Sequence, residues 1–244
     1  MSTTRVYSEV VRRLRRAAAN HLQRLCQIGG LDWWWLETGP QRNPAATLIL
    51  TGGIHGDEPA GVEAILRFLE QPTPGWARRI RFTIFPCMNP YGLDHHQRGN
   101  YAGLDINRFY HTSDLPEIAA QKRVLQGRRF DLHLTLHEDV DALGFYVYEL
   151  SRRGPSIARR ILRNISPVIR FDSRGVIERR RANRGLIQRT YPPRGMKGWP
   201  ESIYMFAEHT DHTLTTETPG PVEWEKRVVA QLIALRTACE SIQS

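Results

Sequence analysis

The chain has 244 residues, 41% hydrophobic and 24% charged, with a formal net charge of +9. That length is enough for one large domain with a sizeable buried core. No apolar run approaches the roughly 18 residues of a membrane-spanning helix, so the composition excludes an integral helical membrane protein and a low-complexity chain alike.

The N-terminus, MSTTRVYSEVVRRLRRAAANHLQRLC, lacks the apolar stretch of a secretory signal. It is arginine-rich and amphipathic, in loose likeness to an organellar transit peptide, and reads as a surface helix over residues 1–25. Val6, Val10, Leu14 and Ala17 would form its inward stripe. "LDWWWLETG" reads as a strand that places Trp33 and Trp35 on one side and Trp34 on the other. "TLILTGG" is a short continuous apolar run, the signature of a buried central strand. "PAGVEAILRFLEQ" is helical with Pro59 in its first turn. "RRIRFTIFPCMNP" is the next strand, and Tyr91 to Pro116 reads as a polar loop before the helix "EIAAQKRVLQG".

In "FDLHLTLHED", Leu132, Leu134 and Leu136 fall on one face and His133, Thr135 and His137 on the other. "GFYVYEL" is a strand, "SIARRILRNI" a helix, and residues 172–200 an irregular Arg-, Gly- and Pro-rich insertion. "HTLTTETPG" is a last strand before the helix "VEWEKRVVAQLIALRTACES". Strands alternating with helices predict a single α/β domain over 1–244 with a mixed, mostly parallel sheet.

Cys26, Cys87 and Cys239 are too few and too scattered for a disulfide framework. Reduced thiols in a cytoplasmic protein are the simplest account. Between Ser151 and Lys197 there are 14 Arg and Lys against two acids, a local charge of +12 that leaves −3 for the rest. Such an excess suits a solvated face, an acidic substrate or nucleic acid. No nucleic-acid signature accompanies it, so nucleic acid is not an expected partner, nor is a membrane.

Sites in open α/β sheets form outside the carboxyl ends of strands. His55 and Glu58 follow one predicted strand, His137 ends a second, and Glu217 ends a third. Two histidines and a carboxylate make a catalytic zinc set, with a fourth position left for water. A further carboxylate must then take a proton and pass it on, and Glu217 is available. The loop "NPYGLDHHQRGNYAGLDINRF" adds Arg98, Asn107 and Arg108. These can hold a carboxylate or stabilise an oxyanion, or face solvent.

Taken in order, "GGIHGDEPAG", "NPYG", "RGN", "GLDINRF", "LHED" and "TTETPG" resemble the zinc carboxypeptidase superfamily, with its aspartoacylase and succinylglutamate desuccinylase relatives. The resemblance implies a three-layer fold, a mixed sheet of about eight strands between helices. It implies one zinc ion held by His55, Glu58 and His137, and Glu217 as general base and acid. It implies that Arg98 polarises the scissile carbonyl and that Asn107 with Arg108 holds a substrate carboxylate. "FDLH" offers His133 as a rival ligand; His137 is preferred because His133 sits mid-strand, out of reach of a rim metal. Peptidases of this family cover the substrate with a mobile tyrosine, for which Tyr191 and Tyr204 are candidates. The acylase branch usually appends a β domain, and here the sequence runs one helix past TETPG. The expected activity is therefore metallocarboxypeptidase-type removal of a C-terminal residue from a small peptide or peptide-like substrate. The alternatives are an N-acyl-amino-acid deacylase and an inactive binding protein of the same fold.

Overall fold

The computed structural model describes residues 6–72, 74–75, 77–112, 115–152, 154–192 and 195–242. The first helix, α1 (Val6–Ala18), buries Tyr7, Val10, Leu14 and Ala18. Val6 is exposed, so the seam is turned from the expected Val6–Val10–Leu14–Ala17 stripe. Tyr7 fixes that turn: its backbone N–H donates to Asp94 Oδ1 at 2.7 Å and its hydroxyl to the Asp32 carbonyl at 2.9 Å.

The helix does not run to residue 25. Leu22–Ile28 forms β1, which pairs antiparallel with β2 (Leu31–Thr38). Gly29 and Gly30 between them have φ of +60° and +77°, the left-handed pair that a two-residue hairpin demands. On β2 the indoles alternate as expected. Trp33 and Trp35 pack with the core that contains Phe85, and Trp34 packs with the core on the opposite face, under the Arg15 guanidinium.

There follow β3 (Ala46–Gly52), α2 (Pro59–Glu70), β4 (Ile80–Phe85), α3 (Pro90–His95) and α4 (Pro116–Leu125). Next come β5 (Leu132–Asp139), β6 (Tyr146–Ser151) and α5 (Ile157–Ile165). The short pair β7 (Val176–Ile177) and β8 (Arg180–Arg181) precedes β9 (Leu186–Arg189), α6 (Glu201–Glu208), β10 (His212–Pro219) and α7 (Trp224–Ser241). Eight strands form one mixed sheet in the order β1-β2-β4-β3-β5-β10-β6-β9. Its centre, β4-β3-β5-β10, is parallel; β1, β2 and β6 are the antiparallel additions. Leu48, Leu50, Leu132, Leu134, Leu136 and Leu214 meet the core of α1, α2, α5 and α7 on one face. Ile49, Phe85 and Trp33 meet Met205 of α6 and Leu125 of α4 on the other. The alternating leucines of β5 thus point to the larger core, which turns His133, Thr135 and His137 toward α6.

Residues 172–200 are less irregular than expected. β9 lies parallel to β6 and extends the sheet. Two of its four residues are exposed, so it carries no alternation that a sequence could reveal. The polar loop from Tyr91 also begins in a helix, because Asn89 Oδ1 accepts the Gly92 N–H at 2.8 Å and Pro90 occupies the first turn. Cys26, Cys87 and Cys239 are all free thiols, and burial raises the Cys87 pKa to about 12. Among the described residues no helix is long and apolar enough to cross a membrane.

Candidate metal centre

The turn after β3 carries the first two site residues. It is pressed against α3 so closely that a Cβ on Gly56 would lie 1.9 Å from the Gly92 carbonyl carbon. Gly53 in the same turn has φ +58°. Glycine at these positions lets the chain bend under its own neighbour and bring His55 and Glu58 to the sheet rim.

There His55, Glu58 and His137 are all buried. His55 Nδ1 is 2.6 Å from Glu58 Oε1, and His137 Nδ1 is 2.7 Å from Glu58 Oε2. The Glu138 backbone N–H also donates to Glu58 Oε2, at 3.1 Å. One ligand atom from each of the three side chains lies within 4.8 Å of the other two, the one such trio among the described residues. Two imidazole nitrogens and a carboxylate converging in a buried rim are a donor set that fits a divalent metal. His55 Nε2 lies 3.0 Å from Asp105 Oδ1, so its other nitrogen is the one aimed at the trio.

Burial works against charge in this cluster, and the neighbours decide. Burial pushes the Glu58 carboxyl up, but the imidazoles of His137 and His55 hold it far below the ordinary range. His55 is raised because its bonds to Asp105 and Glu58 outweigh its own burial. Glu217 pairs in register with His137 across β10 and β5 and lines the same cleft. Burial, then the charges of Glu58 and Asp139, push its carboxyl well above the usual range.

Arg98 donates from Nη1 to Glu58 Oε1 at 3.0 Å and from Nε to Asp105 Oδ2 at 3.2 Å. The buried Asn89 holds this loop, its Nδ2 donating to the Arg98 and Gly99 carbonyls at 3.1 and 3.0 Å. Asn107 and Arg108 lie in a 3₁₀ turn, Ile106–Arg108, capped by Asp105 Oδ1 at 3.0 Å from the Asn107 N–H. Both line the cleft, a cavity of about 570 Å³ that also contains His55, Glu58, His137, Glu217 and Arg98.

Tyr204 is not in the cleft lining. It sits on α6 with its hydroxyl 3.0 Å from His209 Nε2 and the Lys122 ammonium over its ring. Tyr191 is 75% exposed and is also outside the lining. His133 is fully buried, 3.2 Å from Glu201 Oε2 and apart from the trio. Glu138 and Asp139 are engaged by the protein. Glu138 accepts from the Ala60 N–H at 2.7 Å and from Arg227, and Asp139 accepts the Tyr146 hydroxyl at 2.8 Å. From the basic 151–197 segment, Arg180 and Arg189 reach the cleft.

Sequence reasoning passed over Asp105, which stands two residues before Asn107 in GLDINRF. Its signal was a carboxylate in the same loop as Arg98, a partner for any histidine that must be oriented. Ile187, which faces the cleft beside Tyr148 and Thr215, lacked any such signal because β9 carries no alternation; Tyr148 sits on the expected strand β6, where only the pairing with β9 and β10 shows that it lines the cleft.

Comparison with known proteins agrees with the fold. The family model of the succinylglutamate desuccinylase/aspartoacylase catalytic domain matches residues 44–173, more than half of the chain. Carboxypeptidase SOL1 of Arabidopsis thaliana is 29% identical over 144 residues, 48% of this chain and 29% of that protein, so the chain matches less than a third of that relative's length. A provisionally named metallopeptidase from Shewanella baltica OS155 superposes with a TM-score of 0.82 at 20% identity, covering 97% of this chain and 92% of that one. The metallo-carboxypeptidase of Burkholderia cenocepacia gives 0.70 at 17% identity over 96% and 67%. That of Pseudomonas aeruginosa, solved with (2-guanidinoethylmercapto)succinic acid, gives 0.67 at 17% over 96% and 68%. At these identities the structures speak for the fold, and the family model for descent. The chain belongs to the succinylglutamate desuccinylase/aspartoacylase catalytic-domain family, within the zinc carboxypeptidase-like superfamily.

Proposed function

We propose that this protein is a zinc-dependent amide hydrolase that removes a C-terminal residue from a small peptide or peptide-like substrate. The observation that carries the reading is the convergence of His55 Nδ1, His137 Nδ1 and Glu58 at the rim, with Glu217 beside His137 on the next strand. A zinc ion in such a set supplies an electrophile for the carbonyl oxygen and lowers the pKa of a water to about 7.

The chain's own groups do the rest. Glu217 takes the proton of the attacking water and returns it to the leaving nitrogen. Arg98, steadied by Glu58 and Asp105, offers its remaining guanidinium donors to the oxygen that gains charge. Asn107 and Arg108 receive the substrate's terminal carboxylate, an anion that suits an amide N–H and a guanidinium fork. Thr215, Tyr148 and Ile187 lie side by side in register among the cleft-lining residues and receive the substrate's side chain. Three free thiols suit a reducing, cytoplasmic setting.

The match to the desuccinylase/aspartoacylase model favours a second reading, an N-acyl-amino-acid deacylase in which the same Asn-Arg pair holds the amino-acid end. One assay separates the two. The zinc-loaded protein is given N-benzoyl dipeptides, N-acetyl-aspartate and N-succinyl-glutamate, and released amino acids are quantified. The first reading predicts faster turnover of the dipeptides. Faster turnover of the acyl amino acids moves the chain to the deacylases, and hydrolysis of none sinks both.

A further inference from the structure

Glu201 opens α6 and is fully buried. Three elements hold its carboxylate. Thr51 Oγ1 of β3 donates to Oε1 at 2.9 Å, Gln121 Nε2 of α4 donates to Oε1 at 2.6 Å, and His133 Nε2 of β5 lies 3.2 Å from Oε2. Its backbone N–H donates to Asn107 Oδ1 at 2.8 Å. Gln121 in turn accepts the Tyr110 hydroxyl at 2.7 Å. The strap from Asn107 to Tyr110 is therefore tied to one residue at both ends, directly at Asn107 and through Gln121 at Tyr110.

These bonds set which way the Asn107 amide points. Its oxygen is committed to the Glu201 N–H, and a flipped amide would oppose two donors. The nitrogen, with two N–H groups, is the end left for the cleft that Asn107 lines. A buried carboxylate is also a poor device for stability alone, since apolar packing of similar volume often does as well. Burial pushes the Glu201 carboxyl up, yet His133, Gln121 and Thr51 hold it below its ordinary value, so it stays an acceptor.

We propose that Glu201 is a positioning residue for the substrate carboxylate, holding the 107–110 strap so that the Asn107 amide nitrogen and the Arg108 guanidinium face the cleft. The proposal rests on the reading that Asn107 and Arg108 receive that carboxylate. One detail makes a conservative variant informative. His133 Nδ1 is buried without a hydrogen-bond partner. In Glu201→Gln the ring proton can move to Nδ1, so that Nε2 accepts from the new amide while the Thr51 and Gln121 bonds remain. In Glu201→Ala, Thr51, Gln121 and His133 all lose the carboxylate they share.

The test uses zinc-loaded wild type, Glu201→Ala, Glu201→Gln and Tyr110→Phe with an N-benzoyl dipeptide and its C-terminal amide. Calorimetric binding of the same two ligands gives the preference where turnover is slow. Wild type should prefer the free acid by roughly a hundredfold or more, the range lost when one partner of a close charge pair is removed. Glu201→Ala should lose about tenfold of that preference or more, through KM and with kcat on the acid nearly unchanged. Tyr110→Phe should move the same way by a smaller factor, and Glu201→Gln should stay near wild type. A folded Glu201→Ala that keeps the preference, or that loses kcat equally on both substrates, overturns the proposal. If that variant does not fold, Tyr110→Phe decides in the same terms. A wild type that does not distinguish acid from amide overturns the carboxylate reading of Asn107 and Arg108, and this proposal with it.

Discussion

Asp105 Oδ1 stands 3.0 Å from His55 Nε2, on the side of the ring away from Glu58. The bond makes Nε2 the donor and leaves Nδ1 as the lone-pair nitrogen that a metal needs. Burial pushes the Asp105 carboxyl up, but His55 and Arg98 hold it far below the ordinary range, so it remains an acceptor at neutral pH.

Replacing Asp105 by Ala should therefore weaken metal binding by about 10–100-fold, the range seen when an orienting partner of a ligating histidine is removed. Competition against a chelator of known affinity measures the change. Unaltered affinity would mean that packing alone fixes the ring.

Glu217→Gln should retain the metal and lose turnover. The carboxylate is assigned the proton transfers, and such groups contribute about 10²–10⁴-fold. Measured kcat should fall within that range while metal content stays at one ion per chain. A variant that turns over within a fewfold of wild type would remove Glu217 from the chemistry.

Glu149 ties β6 to the start of α5. Its carboxylate accepts the Ile157 N–H at 2.8 Å and the Ser156 hydroxyl at 2.6 Å, and lies 3.0 Å from His212 Nε2. Burial raises its pKa, but His212, Ser156 and the Ala158 N–H outweigh it and leave it below the ordinary value. A depressed folded-state pKa gives stability that is present above the unfolded pKa of about 4.3 and is lost as pH falls through the folded value. Urea unfolding of wild type and Glu149→Gln should differ most at pH 6 to 7, and the difference should shrink below about pH 4. A gap that is constant with pH would locate the contribution in packing.

The sequence made the interior strands legible because buried parallel strands are short apolar runs with few alternatives. "TLILTGG" appears as β3 and "FDLHLTLHED" as β5 with its leucines and histidines on the expected faces. The rim residues followed from that periodicity, since His137 ends one strand and Glu217 its parallel neighbour. What escaped was set by tertiary contact. The register of α1 depends on Asp94 and Asp32, which are distant in sequence from Tyr7. β9 exists because β6 offers it an edge, not because LIQR favours a strand. α6 begins where Asn107 caps it from 94 residues away, so its start carries no local capping signal.

Metal content per chain, by elemental analysis of wild type, His55→Ala, His137→Ala and His133→Ala, decides whether His55, Glu58 and His137 form a metal site. One zinc is expected in wild type, lost in the first two variants and kept in the third, because the His133 imidazole serves Glu201 instead. Loss of metal in His133→Ala with retention in His137→Ala would contradict the assigned ligand set. Wild type that stays metal-free when zinc is supplied would contradict the hydrolase itself.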